Sequence, residues 1–197
     1  MIRVQSQYMG SLAYWQMLAR SESVSIEQHD HFVKQTYRNR CRILGPNGIQ
    51  DLIVPIQGRN KRQAMNQVKI SYQESWVRVH LNGLLTAYRS APYFDYLFPE
   101  LETILLAQPV YLLEMNESIR RFFMKRIGLE ASFHLSKSYD LDQGEVDYRE
   151  ANHPKTEKPE GMTYPQVFQE KFGFLSGAGV IDLLMNDLPG AFALLKQ

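Results

Sequence analysis

Three arginines at alternating positions are the chemically most informative feature of this sequence. Arg38, Arg40 and Arg42 share one face if residues 38–43 form a β-strand, because successive side chains of a strand point to opposite sides. A guanidinium is a planar, permanently charged donor that suits carboxylate and phosphate groups. The row therefore predicts a site for an anionic small molecule.

Other hydrogen-bond donors lie around this row. The predicted substrate-binding residues are Lys34, Tyr37, Arg38, Asn39, Arg40 and Arg42. The alternative is a solvated sheet face whose arginines pair with nearby carboxylates.

A weaker candidate for a metal site precedes the row. Glu27, His29 and His31 fall at i, i+2 and i+4, so they share a face if the strand predicted near residues 24–28 continues through them. Two imidazoles and one carboxylate are a set that transition metals accept. Hydrogen-bonded histidines at a strand end are the competing interpretation.

Two further residues are candidates for catalysis. A helix predicted over residues 74–89 places Trp76, His80 and Leu84 on one stripe, where His80 is either a proton-transfer group or a hydrogen-bonded core residue. Asp182 lies in an apolar helix predicted near residues 179–186, and a buried carboxylate there needs a partner. An arginine of the row is the expected partner, and an exposed Asp182 is the alternative.

The sequence predicts an α/β fold that positions these residues. It consists of a mixed sheet with a central β-hairpin, packed by helices. Gly45-Pro46-Asn47-Gly48 is typical of a hairpin turn. The second strand, 52–56, is continuously apolar, which predicts that both its faces are covered. Alternating helical and strand patterns elsewhere favour α/β.

The length and composition of the chain limit which domain organisation and which classes of function are compatible with it. With 197 residues and 44% hydrophobic content, a single domain spanning 1–197 is expected, with a long polar loop at about 141–163 and a basic segment at 59–62. A net charge of +1 gives no global attraction for nucleic acid or an anionic membrane. One cysteine, no long apolar segment and no signal-peptide pattern predict a cytoplasmic protein without membrane insertion, and a homo-oligomer is compatible with these features.

Several short blocks together resemble the WbqC-like protein family. They are Phe32-x-Lys34-x-x-Tyr37-x-Asn39-Arg40-x-x-Ile43, Trp76-x-x-x-His80, Tyr88 with Ala91-Pro92-Tyr93-Phe94, Tyr164-Pro165-Gln166-x-Phe168, and Asp182-Leu183-Leu184-x-Asn186. The resemblance implies a bacterial setting in O-antigen and surface-polysaccharide biosynthesis, with a poorly defined activity.

The chain departs from the family near its first strand. Family members commonly carry a His-Gln-Pro turn leading to Tyr-Leu-Pro there. Tyr8 matches, but the histidine position holds Val4 and the proline positions hold Ser6 and Gly10. This change places catalysis in question.

Three functions are compatible with these features. The favoured one is an α/β protein that binds a nucleotide-linked or phosphorylated sugar in polysaccharide biosynthesis, as a group transferase with His80 and Asp182 as catalytic residues; no cofactor is indicated. The alternative is a catalytically inert binding or assembly protein of the same pathway. An RNA-binding module is disfavoured by the near-neutral charge.

Overall fold

A computed structural model describes residues 1–58, 62–154 and 162–197. Its strands are β1 (Ile2–Gln5), β2 (Ser23–Glu27), β3 (Arg40–Gly45), β4 (Gly48–Ile53), β5 (Ser132–Leu135) and β6 (Val146–Asp147). Its helices are α1 (Leu12–Ala19), α2 (Trp76–Tyr88), α3 (Phe94–Leu106), α4 (Leu112–Ile127), α5 (Gln169–Phe172), α6 (Val180–Asn186) and α7 (Leu188–Lys196). The α/β class, the hairpin and the packing helices predicted from sequence are confirmed.

Four of the strands form a parallel sheet in the order β5-β2-β1-β6. After β1 the chain moves outward through β2 to β5, and it then returns to the other side of β1 as β6. The direction of winding therefore reverses between β1 and β6. In open parallel sheets, ligands bind outside the carboxyl ends of the strands at such a switch point.

The two faces of this sheet differ in character. Val4, Val24 and Ile26 are buried on one face and belong to the hydrophobic core. The other face is polar, because the intervening residues include Arg3, which pairs in register with Ser25. Parallel sheets usually have apolar side chains on both faces. This polar face is therefore a distinctive feature of the fold.

The segment 136–150, here called the strap, runs over the polar face. It includes β6, which pairs with β1 through Val146 opposite Ile2. The predicted loop at 141–163 thus contains a short strand, while residues 155–161 lie outside the described part of the chain. The same applies to residues 59–61 of the predicted basic segment.

The hairpin forms a separate two-stranded antiparallel sheet from β3 and β4. Gly45 pairs with Gly48, so Pro46 and Asn47 form a two-residue turn, and Gly48 has a φ of +100° that favours glycine. The prediction that both faces of 52–56 are covered is wrong at Ile53, which is 42% exposed. Leu52 and Val54 point inward, so the segment alternates despite its apolar composition.

Helix α2 packs against the hairpin at a close approach. A Cβ on Gly83 would lie 3.2 Å from Cδ2 of Leu52 and 3.5 Å from Cδ1 of Ile43. Among the described residues, no helix combines the length and apolar character needed to cross a membrane.

Candidate functional site

The structure divides the predicted arginine row into two parts. Strand β3 begins at Arg40, so the alternation of a strand does not extend back to Arg38, which lies in a turn. Arg38 is 2% exposed and pairs with Asp30. The prediction that all three arginines share one face is therefore wrong for Arg38.

Arg40 and Arg42, here called the arginine pair, do share a face and are partly exposed. They share one carboxylate across the hairpin, with Arg40 Nη1 2.9 Å from Asp51 Oδ2 and Arg42 Nε 3.4 Å from Asp51 Oδ1. Ion pairing, the alternative interpretation of the row, thus holds here in part. Two guanidiniums against one carboxylate leave one positive charge uncompensated within this trio.

The arginine pair has an aromatic neighbour and a second backbone contact. The Arg42 guanidinium carbon lies 6.0 Å from the centre of the Tyr37 ring, and its Nη2 donates to the Pro154 carbonyl at 3.2 Å. Tyr37 is itself buried, and its carbonyl accepts a 2.8 Å hydrogen bond from the Tyr8 N–H. The segment 37–42 therefore passes beside the carboxyl end of β1.

The remaining predicted binding residues have different surroundings. Asn39 is buried, and its Nδ2 donates to the Val54 carbonyl at 2.8 Å, a contact that ties the start of β3 to the end of β4. Lys34 lies exposed in the preceding turn. Tyr37, Arg40 and Arg42 lie together, joined by the contact of Arg42 with the Tyr37 ring and by the shared carboxylate of Asp51.

A second cluster of polar side chains lies at the carboxyl edge of the parallel sheet. We call Gln5, Glu27, Asp30, Arg38 and Glu150 the edge cluster. Gln5 Nε2 donates to Glu150 Oε1 at 3.3 Å, which links the ends of β1 and β6 across the switch point. Burial lowers the pKa of Arg38, and the carboxylates of Asp30, Glu150 and Glu27 oppose that shift.

Arg3 is a residue that the sequence analysis missed. It is 0% exposed on the polar face, where its Nη1 lies 3.3 Å from Glu27 Oε2 and its Nη2 pairs with Glu145. Nη1 also donates to the carbonyls of Ser138 and Asp140 at 2.7 and 2.9 Å. A buried guanidinium requires such partners because its desolvation is costly. The signal was present in the alternation of Arg3 and Gln5 with Ile2 and Val4.

Arg149 gives the strap a second anchor on the sheet. Its Nη1 lies 3.3 Å from Glu27 Oε2, and the same nitrogen donates to the Tyr139 carbonyl at 2.8 Å. Its guanidinium stacks 4.3 Å above the Tyr139 ring and pairs with Asp147 at 2.7 Å. Glu27 therefore binds two guanidiniums at the end of β2.

The weak metal candidate does not form a ligand set. Strand β2 ends at Glu27, whose Oε1 accepts from the His29 N–H at 2.7 Å, while the His29 ring contacts the Ser136 carbonyl at 3.1 Å. His31 forms a backbone bridge with Ala64. In the described part of the chain, no group of three or more His, Cys, Asp or Glu residues is arranged to hold a metal.

His80 lies in the core, 2% exposed, with its ring 4.8 Å from the Trp76 ring in a T-shaped arrangement. Its Nδ1 is 2.9 Å from the Tyr8 hydroxyl, and its Nε2 is 3.2 Å from the Ile53 carbonyl. Burial lowers the pKa of His80 to about 4, although the hydrogen bond to Ile53 acts in the opposite direction. The ring is therefore neutral near pH 7, with both nitrogens occupied.

Asp182 is buried, at 1% exposure, as expected from its apolar helix. Its partners are neutral: the Tyr164 hydroxyl donates to Oδ2 at 2.9 Å and Gln166 Nε2 donates to the same oxygen at 2.8 Å. The expected arginine partner is therefore wrong. Burial raises the pKa of Asp182, while the hydrogen bonds from Gln166 and Tyr164 lower it by a smaller amount.

A groove of about 530 Å³ lies between α2 and α3, away from these groups. Apolar side chains such as Leu81, Leu85 and Phe98 line it beside Glu74 and Glu102. It shares no lining residue with the arginine pair or the edge cluster.

Comparison with known proteins identifies the family. The model of the WbqC-like protein family matches residues 5–152, which is most of the chain and includes the hairpin, His80 and the strap. The chain belongs to the WbqC-like family. The blocks around Tyr164 and Asp182 lie beyond the matched range.

A curated relative of this WbqC-like protein is itself uncharacterized. It is the uncharacterized protein Rv1507c of Mycobacterium tuberculosis (strain ATCC 25618 / H37Rv), 24% identical over 145 residues. The match covers 73% of this chain and 63% of the relative, so the chain spans less than two thirds of that protein's length. No solved structure matches significantly.

Two positions that carry the WbqC-like resemblance contact each other in the structure. Tyr8, retained from the family's N-terminal turn, bonds to His80 of the Trp76-x-x-x-His80 block. Val4, where the sequence comparison predicts the family histidine, is fully buried on the apolar face of β1. The N-terminal turn of this chain thus supports packing around His80.

Proposed function

We propose that this WbqC-like protein binds a phosphorylated or nucleotide-linked sugar during surface-polysaccharide biosynthesis. The arginine pair, Arg40 and Arg42, binds the phosphate. Membership in the family supports the pathway, and the exposed arginines support the anionic group. Neither Arg38 nor the edge cluster is the phosphate site, because carboxylates already surround Arg38.

The observation that supports the proposal is the shared carboxylate of the arginine pair. Both guanidiniums lie partly exposed at 18% and 27%, so they remain accessible to a ligand while their stems are packed. Asp51 neutralises only one of the two charges. Two oxygens of one phosphate group would each pair with one guanidinium, because the planar arrangement of guanidinium donors suits phosphate.

Calorimetric titration with inorganic phosphate, UDP and glucose 1-phosphate tests this proposal. We expect Arg40→Ala and Arg42→Ala each to weaken binding about tenfold or more, because each removes a charge-assisted hydrogen bond. Arg89→Ala is the control, since Arg89 is an exposed arginine at the end of α2. Equal affinity of all three variants and the wild type would contradict the proposal, as would an absence of binding by all three probes.

A catalytically inert binding or assembly role is the second candidate, and the position of His80 favours it. A proton-transfer group must reach its substrate, whereas the His80 ring is enclosed and both nitrogens are hydrogen bonded. Group transfer with His80 and Asp182 as catalytic residues is the function that the sequence favoured. It predicts turnover of an activated sugar that is lost in His80→Gln while folding and binding persist.

A further inference from the structure

Several buried guanidinium nitrogens have no hydrogen-bond partner among the described residues, including Nε of Arg3, Arg40 and Arg126 and Nη1 of Arg38. Arg38 is 2% exposed, and its Nη2 binds Asp30 while its Nη1 has no partner within residues 1–58, 62–154 and 162–197. Buried donors are almost always satisfied, because leaving one unpaired forfeits its bonds with water. Because other buried polar atoms are also unpaired, the location of Arg38 Nη1 decides whether it is a candidate for a ligand contact.

Arg38 Nη1 lies near the carboxyl ends of the parallel strands, where such sheets commonly bind ligands. Arg38 lies in the edge cluster, next to the Gln5–Glu150 contact that joins β1 and β6 at the switch point. Asp30 and Glu150 are partly or fully exposed, so the cluster opens to solvent on their side.

We propose that the edge cluster binds the hydroxyl groups of a sugar, with Arg38 Nη1 donating to one of them and Glu150 accepting from its neighbour. This subsite rests on the proposed function, since the phosphate of the same ligand occupies the arginine pair.

The charge of the edge cluster favours an uncharged ligand group over an anion or a cation. Glu27, Asp30 and Glu150 supply three negative charges to the cluster, and Arg38 supplies one positive charge. Arg3 and Arg149 also pair with Glu27, but they pair in turn with Glu145 and Asp147, so a negative excess remains that disfavours a second anion. A cation is excluded as the partner of Nη1, because an ammonium group cannot accept a hydrogen bond. A hydroxyl both accepts from a guanidinium and donates to a carboxylate, so vicinal hydroxyls satisfy both kinds of group.

The arginine pair and Arg38 are close along the chain. Arg38 and Arg40 are two residues apart, so their Cα atoms are at most about 7 Å apart. Because the Arg38 side chain does not share the face of the arginine pair, a ligand that occupies both sites must extend from the hairpin face to the edge cluster.

The test compares sugar phosphates with phosphate alone. Calorimetry would use inorganic phosphate and the 1-phosphates of glucose, galactose and N-acetylglucosamine. We expect at least one sugar phosphate to bind about tenfold tighter than phosphate. Glu150→Ala and Arg38→Lys should abolish that gain and leave phosphate affinity unchanged, whereas the control Glu130→Ala, at an exposed carboxylate, should preserve it.

The possible results separate the two proposals. If phosphate binds and no sugar phosphate binds tighter, an ordered water alone satisfies Nη1, and the subsite is wrong while the phosphate site stands. If the gain persists in Glu150→Ala, the sugar binds elsewhere and the subsite is again wrong. If none of the probes binds, the proposed function fails and the subsite fails with it. Because Glu150 is exposed, its variant gives a result even if Arg38→Lys does not fold.

Discussion

The Tyr8 hydroxyl donates a hydrogen bond to Nδ1 of His80, and this contact defines the tautomer of the histidine. Nε2 lies 3.2 Å from the Ile53 carbonyl, which can only accept, so Nε2 carries the ring proton. Nδ1 must then accept from Tyr8, at 2.9 Å. Protonation of His80 would reverse the hydrogen bond, with the Tyr8 hydroxyl as acceptor, and would place a positive charge inside the core.

Acid should therefore destabilise the protein through His80. Its pKa is about 4 in the folded state and 6.5 when unperturbed, so the unfolded state binds more protons between these values. Stability consequently falls as pH drops below about 6.5. We expect His80 to account for a loss of about 2 kcal/mol between pH 7 and pH 5. Urea unfolding at both pH values should show this loss in the wild type and not in His80→Gln.

Asp182→Ala should lower the free energy of unfolding by about 2–4 kcal/mol at pH 7, because it strands the buried donors of Tyr164 and Gln166. The pKa of Asp182 is raised on folding, so its contribution is largest below pH 3.8 and declines as pH rises through the folded value. The deficit of the variant should thus be largest below pH 3.8 and shrink as pH rises above that value. A deficit that grows over this range would indicate a cationic partner.

Glu27→Gln should destabilise the protein and loosen the strap. The change removes the carboxylate charge between Arg3 and Arg149, and breaking a buried ion pair costs about 3 kcal/mol. Limited trypsin digestion should cut after Lys137 faster than in the wild type. Glu100→Gln is the matched control, because Glu100 pairs with Arg126 at the surface and should change stability by less than about 1 kcal/mol.

Gly10→Ala should be much more destabilising than Gly144→Ala. Both glycines have positive φ, 78° and 83°, so both variants share the same backbone strain of about 1–2 kcal/mol. A Cβ at Gly10 would also lie 2.6 Å from Nε1 of Trp15, whereas a Cβ at Gly144 would have no atom of the described residues within 4 Å. Thermal melting of the two variants should differ by several degrees. Equal melting temperatures would show that the turn at Gly10 moves to relieve the contact.

Local patterns predicted the elements of the fold well. The turn chemistry of residues 45–48 and the stripe of Trp76, His80 and Leu84 each depend on neighbours within a few residues, and both are confirmed. The order of the parallel strands was not predicted, because it depends on contacts such as Ile2 with Val146 that no local pattern encodes.

The site was predicted less well for a related reason. The alternation of Arg38, Arg40 and Arg42 assumes a strand that extends through residue 38, but the chain turns before Arg40. The neutral partners of Asp182 are 16 and 18 residues away in a segment without regular periodicity. Arg3 was overlooked because a single charge at the start of a chain is usually exposed, whereas the strap buries this one.

The position of β1 between two strands that are far apart in sequence has a consequence for biosynthesis. Its partner β6 leaves the ribosome about 140 residues after β1 does. At a synthesis rate of about 5–20 residues per second, one edge of β1 stays unpaired for roughly 7–28 s in the nascent chain. Because an open strand edge is a template for association with other chains, the emerging protein should depend on chaperones until the strap is made.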